Sequence, residues 1–174
     1  MIELILNDEH LSGALAEALK VCRHRLFVAT ANVKDLHLPD GAGGARSIVE
    51  AFAEISDRGV EIRLLHSGIP SGPLLERLKR GMPAGLTMRR CPRVHAKAVI
   101  ADGVWMYLGS ANLTGAGLGA KGPHRRNFEA GIVTDDTSLI DPVADMLAGV
   151  FEGAECGECG RKANCPAPLE EPEL

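Results

Sequence analysis

The sequence predicts an α/β protein, a mixed-sheet α/β/α sandwich. Three observations lead there. Short β-branched apolar runs alternate with stretches of helical periodicity along most of the chain, the pattern of a sheet covered by helices. Two neighbouring runs, Val94 to Ala101 and Val104 to Leu108, are parted only by Asp102-Gly103, a strong tight-hairpin signal. At 174 residues and 45% hydrophobic content, the chain is long enough for one domain with a substantial core.

The elements follow in order. Ile2 to Leu6 is expected to be a strand, followed by a helix near residues 10–22 with Leu11, Ala14, Leu15, Ala18, Leu19 and Cys22 at helical spacing. Arg25 to Val33 is a second strand, buried in its middle, and Gly41-Ala42-Gly43-Gly44 a flexible loop. A helix near residues 45–58 ends at Gly59, and Val60 to His66 is a third strand. Ser67 to Pro73 is a turn-rich link into a short helix over residues 73–80. Leu86 to Arg90, Val94 to Ala101 and Val104 to Leu108 are three further strands. A Gly-rich loop from Thr114 to Pro123 precedes a strand over Phe128 to Val133. The closing helix spans Thr137 to Val150, with Leu139, Ile140, Val143, Met146 and Leu147 turned inward. The division is a catalytic domain over residues 1–152 and an acidic, Cys-rich tail over residues 153–174.

Composition narrows the function classes. No apolar run approaches the roughly 20 residues of a membrane-spanning helix, so no stable membrane association is expected. The first residues, MIELILNDEH, carry no basic leader, and a cytoplasmic location is expected. The net charge of −4 lies in the tail, where six acidic residues from Glu152 onward face only Arg161 and Lys162. The preceding 151 residues are therefore neutral overall, and global charge does not select an anionic polymer as partner. Locally, Arg89, Arg90 and Arg93 precede the central stretch and Lys121, His124, Arg125 and Arg126 follow it. These are either solvated loop charges or a phosphate-facing rim. With only six aromatic residues, base stacking is not the main source of any affinity for nucleic acid.

The central stretch, VHAKAVIADGVWMYLGSAN (residues 94–112), carries the chemistry. His95 and Lys97 are two apart in a β-branched setting, so strand alternation sends both to one face. A lone His on such a strand is usually a satisfied core residue. Here Lys97 shares its face, and a buried ammonium needs an anionic partner, either a protein carboxylate or an incoming oxyanion. The small, donor-rich turn Gly109-Ser110-Ala111-Asn112 favours the oxyanion.

The pattern His95-x-Lys97-x4-Asp102-x6-Gly109-Ser110-x-Asn112 resembles the His-Lys-Asp motif of the phospholipase D superfamily, and Asn127-x-Glu129 resembles the Asn-x-Glu on the strand that follows. The similarity of pattern covers Arg93 to Val133. The resemblance implies that His95 is a nucleophile forming a phosphohistidine intermediate, which water hydrolyses. It implies that Lys97, Ser110 and Asn112 hold the non-bridging oxygens, with Asn127 as a further donor and Gly109 shaping the turn. Glu129 would orient His95 through its far ring nitrogen, and Asp102 would be a structural residue behind the site. No metal is needed for this chemistry. Family members use two such motifs, one His attacking and the other protonating the leaving oxygen. This chain has one, since His66 is followed by Ser67-Gly68, so the resemblance implies a homodimer that pairs two copies of His95.

Cys156-x2-Cys159-x5-Cys165-Pro166 sets three of the five cysteines close together. Without a leader, a disulfide framework is not expected. Three thiolates call for a fourth ligand to hold zinc or an iron–sulfur cluster, with Cys91 the foremost candidate and Cys22 or a His the alternatives. Reduced, unligated thiols are the plainer reading.

The expected function is a phosphodiesterase, most simply a metal-independent endonuclease with nucleic acid as substrate. The alternatives are phospholipid cleavage or phosphatidyl transfer, and a non-catalytic nucleic-acid-binding module.

Overall fold

The computed structural model describes residues 1–40, 42–165 and 167–174; Gly41 of the expected flexible loop and Pro166 of the cysteine tail lie outside the described residues. One seven-stranded sheet organises the chain. β1 (Ile2–Leu6) leads through a π-helical turn (His10–Ala16) into α1 (Glu17–Val21), and β2 (Arg25–Thr30) follows. A small hairpin of β3 (His37–Pro39) and β4 (Ala45–Ser47) precedes α2 (Ile48–Asp57), β5 (Glu61–His66), α3 (Gly72–Arg80) and β6 (Leu86–Arg90). The second half comprises β7 (Ala98–Ala101), β8 (Trp105–Gly109), β9 (Ala130–Thr134) and α4 (Thr137–Phe151). The expected mixed α/β architecture is present.

The strand order is β1-β9-β8-β7-β2-β5-β6. β2, β5 and β6 run parallel, joined by helical crossovers, whereas β7, β8, β9 and β1 pair antiparallel. β2 sits where the two regimes meet. Its residues alternate between two cores: Leu26 and Val28 face the layer with α1, α2 and α3, while Phe27 and Ala29 face α4. A strand buried on both faces reads as a continuous apolar run, which is how RLFVAT reads.

Several boundaries differ from expectation for physical reasons. The helix expected from residue 45 begins at Ile48, because Ala45–Ser47 pairs with β3 and Ser47 is the N-cap. The Ser47 hydroxyl accepts the Glu50 N–H at 3.2 Å and the Glu50 carboxylate accepts the Ser47 N–H at 2.6 Å, a reciprocal capping box. The first helix begins with π winding, which places His10 fully inside, edge-on to Tyr107 at 5.5 Å between ring centroids. On α4, Ile140, Leu147 and Phe151 are buried, but Leu139 and Met146, expected inside, remain exposed.

The Asp102-Gly103 hairpin forms as expected, with both residues at positive φ (54° and 72°), the signature of a type I′ turn. The expected strand over residues 94–101 is shorter, ladder pairing beginning only at Ala98. His95 and Lys97 therefore lie on the extended segment leading into β7, beyond its last paired rung.

Candidate active site

The sheet register assembles the site at one end of the strands. Ala98 pairs with both Ala29 and Leu108, so Lys97 stands beside Thr30 on one side and Gly109 on the other. The Gly109 N–H donates to the Lys97 carbonyl at 3.0 Å, and the Ser110 N–H donates to Ala130 O at 3.0 Å. The end of β8 is thereby fastened to the beginnings of β7 and β9. This is also the carboxyl end of parallel β2 and β5, the usual location of ligand sites where strand order reverses.

His95 is exposed, whereas Lys97 is only 8% exposed. The Lys97 Nζ donates to the His95 carbonyl at 2.8 Å and lies 3.2 and 3.3 Å from the two ring nitrogens. Near-equal distances place the ammonium over the imidazole rather than in line with one nitrogen lone pair. Both side chains therefore share one side, as alternation predicts. Among the described residues, no carboxylate forms an ion pair with Lys97. Burial pushes its ammonium below the usual lysine range, with the more distant Glu129 charge opposing that shift.

Glu129 does not orient His95 within the chain, contrary to expectation. Its carboxylate instead accepts the Ser110 hydroxyl and, at 2.9 Å, the Asn127 side-chain amide. The Ser110 hydroxyl and one N–H of the Asn127 amide are thus engaged by Glu129. Asn7, at the end of β1 with φ of 51°, cradles the same residue: its N–H donates to Glu129 O at 2.9 Å and its Oδ1 accepts the Glu129 N–H at 3.3 Å. An Asn directly after a strand was the only signal the sequence offered for this role.

Asn112 is anchored from the other side. Its Oδ1 accepts the N–H groups of Ala31 and Asn32, both at 3.1 Å, and the Thr30 hydroxyl at 3.3 Å. With the oxygen engaged by the backbone after β2, the amide N–H2 is turned toward the other side of the carboxamide. The one Thr30 hydroxyl hydrogen is shared between that Asn112 oxygen and Asn32 O, the shorter contact at 2.8 Å, and the hydroxyl oxygen accepts the Leu113 N–H at 3.0 Å. Sequence reasoning missed Thr30, since one threonine ending a buried strand carries no pattern.

Gly109 admits no side chain. A Cβ there would lie 2.4 Å from the Tyr107 hydroxyl and 2.8 Å from Ala130 O. The Tyr107 hydroxyl accepts the Ala111 N–H at 3.2 Å from beneath the turn, and burial pushes its own ionisation up to about 12. Asp102 is far from this end, at the β7–β8 turn. Its carboxylate accepts the N–H groups of Arg23, His24 and Arg25 at 2.7 to 2.8 Å. Desolvation works to raise that carboxyl, but the backbone donors outweigh it and hold it below the usual carboxylate range. These bonds tie the β7–β8 turn to the chain entering β2.

The basic clusters divide. Arg89 donates to Phe151 O at 2.6 Å, Arg90 to Ser67 O at 2.9 Å and to Glu170, and Arg93 to the Cys159 sulfur at 3.7 Å. These bonds hold α4 and the tail, so the upstream cluster is not a free phosphate-facing rim. Downstream, Arg126 pairs with Asp8 at 2.9 Å, while Lys121, His124 and Arg125 are exposed.

Cys91, Cys156, Cys159 and Cys165 line one cavity of about 40 Å³, and all five cysteines are free thiols. Among the described residues, no group of three or more His, Cys, Asp or Glu side chains is placed so that it could hold a metal ion, the expected Cys156, Cys159, Cys165 and Cys91 set included. Cys22, the alternative fourth ligand, is buried elsewhere, its sulfur donating to Asp102 at 3.5 Å.

The family model described as "Cardiolipin synthase, PLD-like domain" matches residues 15–151. No curated protein matches the sequence. Among solved structures, Nuc from Salmonella typhimurium, a phospholipase D family member, is similar over 100% of this chain and 99% of its own, with 15% identity and a TM-score of 0.67. NucT from Helicobacter pylori is similar over 87% of this chain and 96% of its own, with 16% identity and a TM-score of 0.65. TrmBL2, an archaeal chromatin protein described with a novel mode of DNA binding, is similar over 87% of this chain and 52% of its own, with 14% identity and a TM-score of 0.56. At these identities the structural likeness establishes the fold.

Proposed function

The chain belongs to the phospholipase D-like family, and on that premise we propose that it is a phosphodiesterase acting through His95, most simply an endonuclease. One observation carries the reading: a nearly buried Lys97 ammonium lies against the His95 ring without a carboxylate partner among the described residues. A phosphodiester oxygen entering there would supply the missing anion, and its phosphorus would come within reach of the imidazole.

A His95 ring nitrogen attacks phosphorus, forming the N–P bond as the P–O bond to the leaving group breaks. The leaving oxygen takes a proton from a general acid, His95 of a second copy of the chain. Water then attacks phosphorus, releases the phosphomonoester and restores both histidines. Lys97 and the Asn112 amide neutralise the charge that builds on the non-bridging oxygens. Glu129 acts as a positioning residue that holds Ser110 and Asn127 at the rim.

The requirement for a second copy is supported by exposed apolar surface beside the site. Phe128, between Asn127 and Glu129, is 94% exposed, and Ile2, Leu4 and Leu6 are exposed along the edge strand β1. Nucleic acid as substrate is favoured by exposed Lys121, His124 and Arg125 beyond the site, and by a solved neighbour of this fold being described as binding DNA. No helix of the described residues is long and apolar enough to cross a membrane. Phosphatidyl transfer is the second reading, favoured by the cardiolipin synthase description of the matching model.

The test is cleavage of labelled single- and double-stranded DNA and RNA in EDTA, beside a phospholipid set, with wild type and His95→Ala. Cleavage of nucleic acid that falls by at least about 10³-fold in the folded variant is expected. Turnover of phospholipid alone would establish the second reading. Equal cleavage by the two proteins would remove His95 from the chemistry.

A further inference from the structure

Beyond the phosphodiesterase site, the molecule holds a second cluster of reactive side chains. Cys156, Cys159 and Cys165 come from the segment after α4, whereas Cys91 comes from the end of β6. All four border the same cavity of about 40 Å³. We propose that they form a tetrathiolate zinc site that fastens the C-terminal segment to the chain leading into His95.

The backbone around the cavity is built for close approach of sulfurs. Cys156 and Cys159 occupy successive turns, the Cys156 N–H donating to Gly153 O at 3.0 Å and the Cys159 N–H to Cys156 O at 3.4 Å. A Cys-x2-Cys pair in a turn is the common half of a structural zinc site. Cys165 closes the short 3-10 turn Lys162–Asn164, with its N–H donating to Lys162 O at 3.2 Å. Cys91 is fixed by its N–H to His66 O at 2.8 Å, and its own carbonyl accepts the Val94 N–H at 3.0 Å.

Charge at the cavity suits an anionic complex. Four thiolates around a divalent ion leave two negative charges, and Arg93, Arg161 and Lys162 outnumber Glu155 along the same lining. Arg93 already donates to the Cys159 sulfur at 3.7 Å, an outer contact of the kind that orients metal-bound thiolates. An all-sulfur donor set selects zinc or an iron–sulfur cluster, and a cavity of this size suits a single ion. Among the described residues no group of three or more His, Cys, Asp or Glu side chains could hold an ion as the side chains stand, so the proposed site requires the four thiols to turn toward the cavity they border, by rotation about χ1 between staggered wells. Each thiol releases its proton to solvent as it ligates.

The segment needs such a fastening. Among its described residues it carries one 3-10 turn and little buried apolar surface after α4, and its docking rests on polar contacts such as Arg90 N–H to Glu170 O at 3.0 Å. The family match ends at residue 151, so three of the four thiols lie beyond the matched domain. Because Cys91 precedes His95 by four residues, the ion would tether the approach to the candidate active site.

The test reads metal rather than turnover, so its outcome is separate from that of the phosphodiesterase assay. Full-length protein purified with reductant and without chelator is analysed for zinc, iron and acid-labile sulfide. About one zinc per chain is expected, falling below about a tenth in Cys91→Ser and Cys165→Ser and retained in Cys22→Ala. Thiol titration of the wild type is expected to show protected cysteines that become reactive after zinc is stripped with a chelator. Metal-free wild type with freely reactive thiols would overturn the site, as would disulfides found by mass after alkylation. Iron with acid-labile sulfide would overturn the single-ion assignment.

Discussion

Lys97 sets the energetics of the candidate site at the scale of single residues. Its ammonium is nearly buried and depressed below the usual lysine range, chiefly by desolvation. A lysine whose folded value is lowered destabilises the fold at every pH below that value, and the penalty fades as pH climbs from there toward the unfolded value. Lys97→Met removes the buried charge, so a Tm rise of a few degrees is expected by calorimetry at neutral pH, with activity down about 10²-fold or more. A fall in Tm together with full activity would contradict this account. In the wild type, KM should rise as pH climbs through the lowered lysine value, at less alkaline pH than an ordinary lysine would give. Gly109 acts through space rather than charge. With a Cβ only 2.4 Å from the Tyr107 hydroxyl, Gly109→Ala should cost about 1–3 kcal/mol in urea unfolding and weaken activity by displacing Ser110.

At the scale of elements, the β7–β8 hairpin joins the site to the remainder of the sheet. Its turn carboxylate, Asp102, receives three backbone N–H groups from the chain entering β2. In Asp102→Asn, an amide nitrogen would oppose at least one of those donors, and a loss of about 1–3 kcal/mol is expected by urea unfolding. Because the folded carboxyl is held below its usual range, its contribution is present above the unfolded value and is lost as pH falls through the folded one. Wild type should therefore lose stability on acidification more steeply than the variant, while kcat of the folded fraction stays unchanged. A variant equally stable at neutral pH would show that the turn does not depend on the carboxylate.

For the whole molecule, the open question is how a chain with one His-Lys-Asp motif supplies both a nucleophile and an acid. Phe128, almost wholly exposed beside Glu129, is where association can be tested without touching a reacting group. Phe128→Glu is expected to convert a sedimenting dimer to a monomer and to lower activity in proportion to the dimer lost. A wild type that sediments as a fully active monomer would remove the two-copy scheme.

Much was readable because local rules govern it. The Asp102-Gly103 turn demands positive φ at both positions, and the pair announces that demand directly in the sequence. The helix and strand runs followed apolar period, and the spacing from His95 to Glu129 named a set that the sheet does gather at one end, apart from Asp102 at the opposite turn. Boundaries shifted where a competing contact won, as when Ala45–Ser47 paired with β3 and delayed α2.

Other features depend on partners brought together by packing, and no local pattern encodes those. Periodicity identifies strands but not their order, so the position of β2 between parallel and antiparallel halves emerged only from the assembled sheet. The same holds for Glu129, which was expected to meet His95 and instead holds Ser110 and Asn127, because register and the Asn7 cradle set its direction. Residue identity placed an ammonium and an imidazole two positions apart. That the ammonium would be buried over the ring, with no carboxylate among the described residues to answer it, followed from the neighbours that β2, β7 and β8 bring to that end of the sheet.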